Sequence, residues 1–406
     1  MPPTLSVLLL ALLPILPGAG EDLAGPLVID PGFRPDTLIR VPGGPTLAHF
    51  EAGSSETIVI RVSIPLAESP DEAGVGHFIR AQAEARMRNV ANRIGARVEA
   101  HRTSTSLVYQ AAGSSQDLDF LIWALREGMG APETGRHEAA RRDVRAALDR
   151  RLETPEGTLA LRLRQALEPG GARIQGTTGT LDRLQAGHVM AAWARSHRPE
   201  EARVVTVGPV DPVVILASLT DLGLDPDGPL PQLAPPQGTG ESQGAPEVIR
   251  RWVAYAYPLD GNRTAAVLVA ARHLSGLVRE RPGDYEASVE LWDLSQGRAL
   301  VLSGAAYPRG VQAMTSRLAG LLGEGVAELD EARVSTLTGE LLTDLRLTSR
   351  TPWGMAELVG QAWDATGSPG EVDLLIEDLA RVRAEDVRGV LETLQGTSPV
   401  QEELRP

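Results

Sequence analysis

Two short patterns occur twice in this chain at one spacing, and that repetition limits the folds open to it more than any other feature. Glu127-Gly128-Met129 returns as Glu324-Gly325-Val326, and Thr154-Pro155-Glu156-Gly157 returns as Thr351-Pro352-Trp353-Gly354. Both pairs share an offset of 197 (324 − 127 and 351 − 154). A Thr followed by Pro starts helices for a physical reason: the hydroxyl caps a backbone N–H, and the fixed φ of Pro suits the first turn. Each copy runs into a helical pattern, Leu159-Ala-Leu-Arg-Leu163 and Met355-Ala-Glu-Leu-Val359. The spacing therefore predicts a duplicated chain, with an equivalent helix at an equivalent point of each half.

A stretch rich in Pro and Gly separates the halves. Residues 225–247 include Asp225-Pro226-Asp227-Gly228-Pro229, Pro235-Pro236 and Gly244-Ala245-Pro246, with few large apolar residues, which marks a linker. The expected domains are 21–224 and 248–401.

Within the halves the pattern alternates between strand and helix. Thr57-Ile-Val-Ile-Arg-Val-Ser-Ile64 is β-branched and strand-like, as are segments 97–100, 106–109 and 203–208. Residues 78–94, 118–127 and 137–152 have helical periodicity. In the second half, 265–271 and 299–304 are read as strands, and 311–322, 330–345, 353–366 and 371–379 as helices. The predicted class is α+β: two homologous lobes, each a mainly antiparallel sheet packed against helices.

Composition removes several functions. The chain has 406 residues, 42% hydrophobic and 23% charged, enough for one large or two ordinary globular domains. Its net charge of −14 argues against nucleic acid, because phosphate binding needs clustered cations. All of its basic side chains other than His are Arg. The absence of cysteine excludes disulfides, thiolate metal sites and a Cys nucleophile. No phosphate-binding Gly loop and no Gly-x-Ser-x-Gly elbow occurs. The Arg-rich segment 137–152 carries interspersed acids and reads as a solvated helix face. Asn262-Arg-Thr264 matches a glycosylation sequon, a pattern common by chance.

Residues 5–16 are apolar except for Ser6 and Pro14, and Gly18 and Gly20 follow. The run is shorter than the roughly 20 residues that a bilayer span requires. Residues 1–20 are therefore read as a secretory signal, with a buried N-terminal segment as the alternative. No later run is long and apolar enough for a span, so no membrane span is expected in the mature chain.

The segment Glu72-Ala-Gly-Val-Gly-His77-Phe-Ile-Arg80-Ala81 resembles the helix of the pitrilysin/insulinase metallopeptidases that opens Gly-x-x-His-Phe-x-Glu-His. Gly95-Ala-Arg-Val-Glu99-Ala100, then Thr103-Ser104 and Tyr109, are similar to that family's next conserved stretch. Trp193-Ala-Arg-Ser-His197-Arg-Pro199, followed by Arg203-Val-Val-Thr-Val-Gly208-Pro-Val-Asp211, resembles the end of the family's first domain. The resemblance implies the two-lobed LuxS/processing-peptidase-like metallopeptidase architecture.

The catalytic pattern of that family is altered here. It requires two His four residues apart on one helical face and a Glu between them as the base on a metal-bound water. His77 keeps the first position, Arg80 stands at the base position and Ala81 replaces the second His. The third ligand, a Glu on a later helix, aligns with Ala147. A guanidinium takes no proton at neutral pH and repels a divalent cation. Thus His77, Arg80, Ala81 and Ala147 form a degenerate motif, and His77 is expected to pack in its helix rather than ligate. The seven His (His49, His77, His101, His137, His188, His197 and His273) include no pair three or four residues apart, so no metal site and no cofactor is expected in this chain.

Val278-Arg279-Glu280-Arg281-Pro-Gly-Asp-Tyr285 resembles the family's Arg/Tyr segment that contacts substrate backbone. Arg279 and Arg281 compete for the Arg role, with Tyr285 as the aromatic partner; an exposed turn between helix and strand is the alternative. Taken together, the resemblance implies an exported, bacterial periplasmic, non-catalytic partner subunit of a two-chain peptidase. Zinc would sit only in the heterodimeric homologue, and this chain would supply chamber wall and peptide contacts. A stand-alone peptide-binding or scaffold protein, and an atypical metallopeptidase, are the other two readings.

Overall fold

The computed structural model describes residues 33–51, 56–66, 68–168, 176–219, 248–259, 264–294 and 297–406. The expected signal at 1–20, the linker at 225–247 and Asn262 of the sequon lie outside these residues.

Two sheets carry the fold. The first is built from β1 (Thr37–Arg40), β2 (Thr46–Phe50), β3 (Thr57–Pro65), β4 (Arg97–Arg102), β5 (Ser106–Ser114) and β6 (Arg203–Val207), in the order β1-β2-β6-β3-β5-β4. Only the β2/β6 pair is parallel. The second sheet comprises β7 (Arg251–Leu259), β8 (Tyr285–Asp293), β9 (Arg298–Ala306) and β10 (Val400–Leu404), all antiparallel, in the order β10-β7-β9-β8. That order matches β6-β3-β5-β4 of the first sheet strand for strand, so the duplication read from four short segments extends to the whole sheet.

The helices repeat as well. In the first half they are α1 (Val75–Ala91), α2 (Leu118–Met129), α3 (His137–Leu152), α4 (Pro155–Leu167), α5 (Thr178–Arg183), α6 (Ala186–Ser196) and α7 (Pro212–Leu219). The second half contributes α8 (Thr264–Glu280), α9 (Val311–Ala327), α10 (Glu331–Ser349), α11 (Pro352–Thr366), α12 (Glu371–Leu379) and α13 (Ala384–Gly396). Helices α1 and α8 each have 17 residues and each precedes the edge strand of its sheet.

The Thr-Pro starts behave alike. The Thr154 hydroxyl accepts from the Gly157 N–H at 3.1 Å, and Thr351 accepts from Gly354 at 3.0 Å. A Cβ at Gly157 would lie 2.0 Å from the Arg151 carbonyl oxygen, and one at Gly354 would lie 2.0 Å from that of Thr348. Glycine at these points lets the new helix start directly against the end of the preceding one.

These two helices also cross between the lobes. Leu159 and Leu163 of α4 pack with Trp252, Ala254, Ala256 and Val301 of the second sheet. Conversely, α11 packs on β3 and β6 of the first sheet. Burying a face of each helix on the opposite sheet ties the halves together. One face of the first sheet is covered by α1, α2 and α6 around Phe78, Met87, Leu121 and Val189. Its other face, through Ala48, Val59 and Val205, joins the core of the second lobe.

One sequence expectation is corrected. Residues 265–271, read as a strand, belong to α8. All seven are buried, so no polar residue reveals the helical period, and a short apolar run is ambiguous between strand and helix. Strands β1, β2, β7, β8 and β10 and helices α5, α6, α7 and α13 had not been read from the sequence.

Candidate functional site

A cavity of about 1420 Å³ opens between the lobes. It is bordered by α1, β4, α3 and α4 on one side and by β7, β8, β9, α8 and the end of α11 on the other. Small-molecule pockets run to roughly 1000 Å³, so this space suits a longer ligand.

The degenerate motif lies on its wall. Helix α1 begins at Gly74, whose φ of 91° is left-handed and natural only for glycine. Buried Glu68 accepts from the Gly74 N–H at 3.0 Å and the Gly76 N–H at 2.9 Å, satisfying the first turn of the helix. Arg102 of β4 donates to the same carboxylate at 3.5 Å and to the Leu66 carbonyl at 3.1 Å, fixing the helix start against the edge strand. One turn on, His77 and Arg80 line the cavity, and Ala147 of α3 lines it too. Ala81 is half-buried against the first-lobe core. The Arg80 guanidinium donates to Glu84 at 2.9 Å, and Glu84 also takes Arg88.

Of the residues expected at the metal positions, His77, Arg80 and Ala147 line one cavity and Ala81 packs against the first-lobe core, and the chemistry of the four does not fit a zinc ion. Two of the three positions expected to hold ligands end in a methyl group, and the position expected to hold the base carries a permanent cation. Among the described residues no group of three or more His, Asp or Glu is arranged to hold a metal ion.

The Arg/Tyr segment lies elsewhere. Arg279, Arg281 and Tyr285 are not among the cavity-lining residues. Arg279 ends α8, exposed, and donates to the Ser275 carbonyl at 3.3 Å. Arg281 is paired with Glu324 of α9 and, at 2.6 Å, with Glu328, which caps the end of that helix. Tyr285 starts β8, and its ring lies over Gly283, where a Cβ would meet it at 2.3 Å.

A cluster that sequence reasoning missed seals the lobe boundary beside the cavity. Arg61 of β3 is fully buried and donates to Asp364 of α11 at 2.8 Å, with Glu357 at 3.9 Å. Ser63 donates to the other oxygen of Asp364 at 2.5 Å, and Arg203 of β6 donates to the Trp363 carbonyl at 2.9 Å. Gly360 makes the space, since a Cβ there would stand 2.3 Å from the Arg61 guanidinium. Arg97 of β4 lies over the ring of Trp353, 3.7 Å from its centroid. His101 sits between Glu99 at 3.6 Å and Glu357 at 3.7 Å. Burial lowers the His101 pKa despite Glu357, so the ring is neutral at pH 7. Burial, then Glu357, raises that of Glu99. The visible signal was a charged residue, Arg61, inside an otherwise strand-like apolar run; nothing local identified its partner.

Edge strand β4 borders the cavity through Val98 to Arg102 and, among the described residues, pairs only with β5. Edge strand β8 borders it from the other lobe through Glu286 to Asp293. Two sheet edges with backbone donors and acceptors to spare therefore face one space.

No family profile and no curated protein sequence matches this chain. Solved structures do. A protease from Helicobacter pylori is similar at a TM-score of 0.77 and 15% identity, over 91% of this chain and 99% of that one. The inactive domain of a peptidase M16 from Pseudomonas fluorescens is similar at 0.73 and 14% identity, over 90% and 97%. The periplasmic protease PqqL from Escherichia coli is similar at 0.67 and 13% identity, over 97% of this chain but 48% of its own. The order of the duplicated sheets, the crossing helices and these likenesses agree: the chain has the fold of the M16, or pitrilysin, peptidases, a fold that includes an inactive domain.

Proposed function

We propose that this chain binds extended peptides between its lobes without cleaving them, as the non-catalytic subunit of a two-chain peptidase. The observation that carries the reading is the wall of the inter-lobe cavity. The β4 edge lies beside the altered motif, with Arg80 and Ala147 facing the space where metal chemistry would be assembled. A strand edge recognises any extended peptide through its main chain, and the pockets around it select side chains.

The partner would be a zinc-bearing homologue of similar two-lobed form, held through a large interface. PqqL is about twice as long as the region matched here, which leaves space for a second pair of lobes. Export fits the apolar segment at 5–16 and the description of PqqL as periplasmic. Among the described residues no helix is long and apolar enough to cross a membrane.

The test is to mix the purified chain with a zinc-bearing homologue. Co-elution and an increase in peptide cleavage are expected. Unchanged elution volume together with unchanged activity would end the partner reading. Stoichiometric zinc and chelator-sensitive cleavage by this chain alone would end the non-catalytic one.

A further inference from the structure

We propose that the cavity contains a carboxylate-binding subsite built on Arg151, so that the chain selects peptides presenting a carboxylate beside apolar residues. This deepens the peptide-binding reading and rests on it.

Arg151 stands in the last turn of α3 and lines the cavity. Most guanidiniums on that wall are already engaged. Arg80 and Arg88 meet Glu84, Arg102 meets Glu68, and Arg298 meets Asp293 at 2.8 Å. The Arg151 side chain, by contrast, has no hydrogen bond or ion pair among the described residues. The charge that acts on it is another cation, Arg164 of α4. Arg164 itself is engaged: it donates to the Asp293 carbonyl at 3.2 Å and lies over the Trp292 ring, 4.8 Å from the centroid. Glu156 also borders the cavity but is not among the charges acting on Arg151.

Burial, and then Arg164, hold the Arg151 pKa down to about 10. A guanidinium partly removed from water, with a like charge beside it and no anion, is in an unfavourable position. A carboxylate relieves it, because the planar fork of Arg matches two carboxylate oxygens. Val98, Ala147, Ala160 and Leu291 border the same cavity with side chains that are exposed or half-buried, and they offer apolar surface to the flanking residues of a ligand. The carboxylate can come from an acidic side chain or from a peptide C-terminus.

Fluorescence anisotropy on the full chain separates these sources. Three N-terminally fluorescein-labelled decapeptides of Leu, Ala and Ser are needed: one with a central Glu and an amidated C-terminus, one with Gln and the amide, and one with Gln and a free C-terminus. At least one carboxylate-bearing peptide is expected to bind about tenfold more tightly than the Gln amide, as a charge-assisted hydrogen bond allows. Arg151→Gln should abolish that preference and leave the Gln amide unaffected; Arg151→Lys should retain part of it. Equal affinity of wild type for all three peptides, or an equal loss for all three in Arg151→Gln, would overturn the subsite while leaving peptide binding intact. If none of the three binds, the peptide-binding reading itself fails, and the subsite with it.

Discussion

Arg61 and Asp364, 303 residues apart in sequence, form a 2.8 Å ion pair with the guanidinium wholly removed from solvent. The pair joins β3 of one lobe to α11 of the other. Removing one partner leaves a buried charge uncompensated. Asp364→Asn and Arg61→Met are each expected to lower stability by ~3–5 kcal/mol, measured by urea denaturation. The double variant Arg61→Met/Asp364→Leu should recover much of the loss, and a strictly additive double variant would show that the two side chains do not act as a pair. Gly360→Ala should destabilise through the same contact, because its methyl group would occupy the place of the Arg61 guanidinium.

The duplicated helix starts provide a matched test. Gly157→Ala and Gly354→Ala each push a Cβ against a backbone carbonyl at 2.0 Å. Losses of about 1–3 kcal/mol are expected for each, similar in size, because the backbone must shift in both. Thermal melts of the two variants check this; a neutral effect at either position would contradict the equivalence of the two helices.

Acid should unfold the protein more readily than surface carboxylates alone would cause. His197 is fully buried; its Nδ1 donates to the Trp193 carbonyl at 3.1 Å, and its Nε2 accepts from the Tyr109 hydroxyl at 2.7 Å. Burial pushes its pKa down to about 3. The unfolded chain, with an ordinary His pKa near 6.5, therefore binds the proton more readily than the folded one. Stability present above about pH 6.5 is lost as pH falls toward 3, with a slope approaching ~1.4 kcal/mol per pH unit from this residue. His197→Gln should be less stable at pH 7 but flatter across that window. Parallel stability curves for variant and wild type would remove His197 as the cause.

Restoring the donor set tests the assignment of the degenerate motif. The triple variant Arg80→Glu/Ala81→His/Ala147→Glu adds one imidazole and two carboxylates, which with His77 make two imidazoles and two carboxylates. It is expected to bind about one zinc per chain by elemental analysis, where the wild type binds none stoichiometrically. Failure of the variant to gain zinc would show that Ala81 or Ala147 does not occupy a ligand position.

The duplication was legible from the sequence because it was written in local chemistry. A Thr hydroxyl, a Pro and a Gly in one order make a helix start wherever they occur, and two copies at one offset announced two lobes. The residues of the altered motif could be read locally as well, since side chains at positions 77, 80 and 81 need only helical spacing to be placed on one helix, and the structure puts all three on α1. Local pattern failed at 265–271, where complete burial erased the periodicity that separates helix from strand. Short or half-exposed strands such as β1 and β10 carried too little pattern to be read.

Side-chain identities and local capping chemistry are properties of neighbouring residues, so the sequence alone determined a repeated α+β chain. The tertiary structure decided which sheet each repeated helix covers, that Arg61 meets Asp364, and that the Arg151 side chain has no counterpart among the described residues. It also separated Arg279, Arg281 and Tyr285 from the cavity. These outcomes depend on how two lobes with similar local signals pack against each other, and no periodicity within either lobe encodes a contact made across several hundred residues.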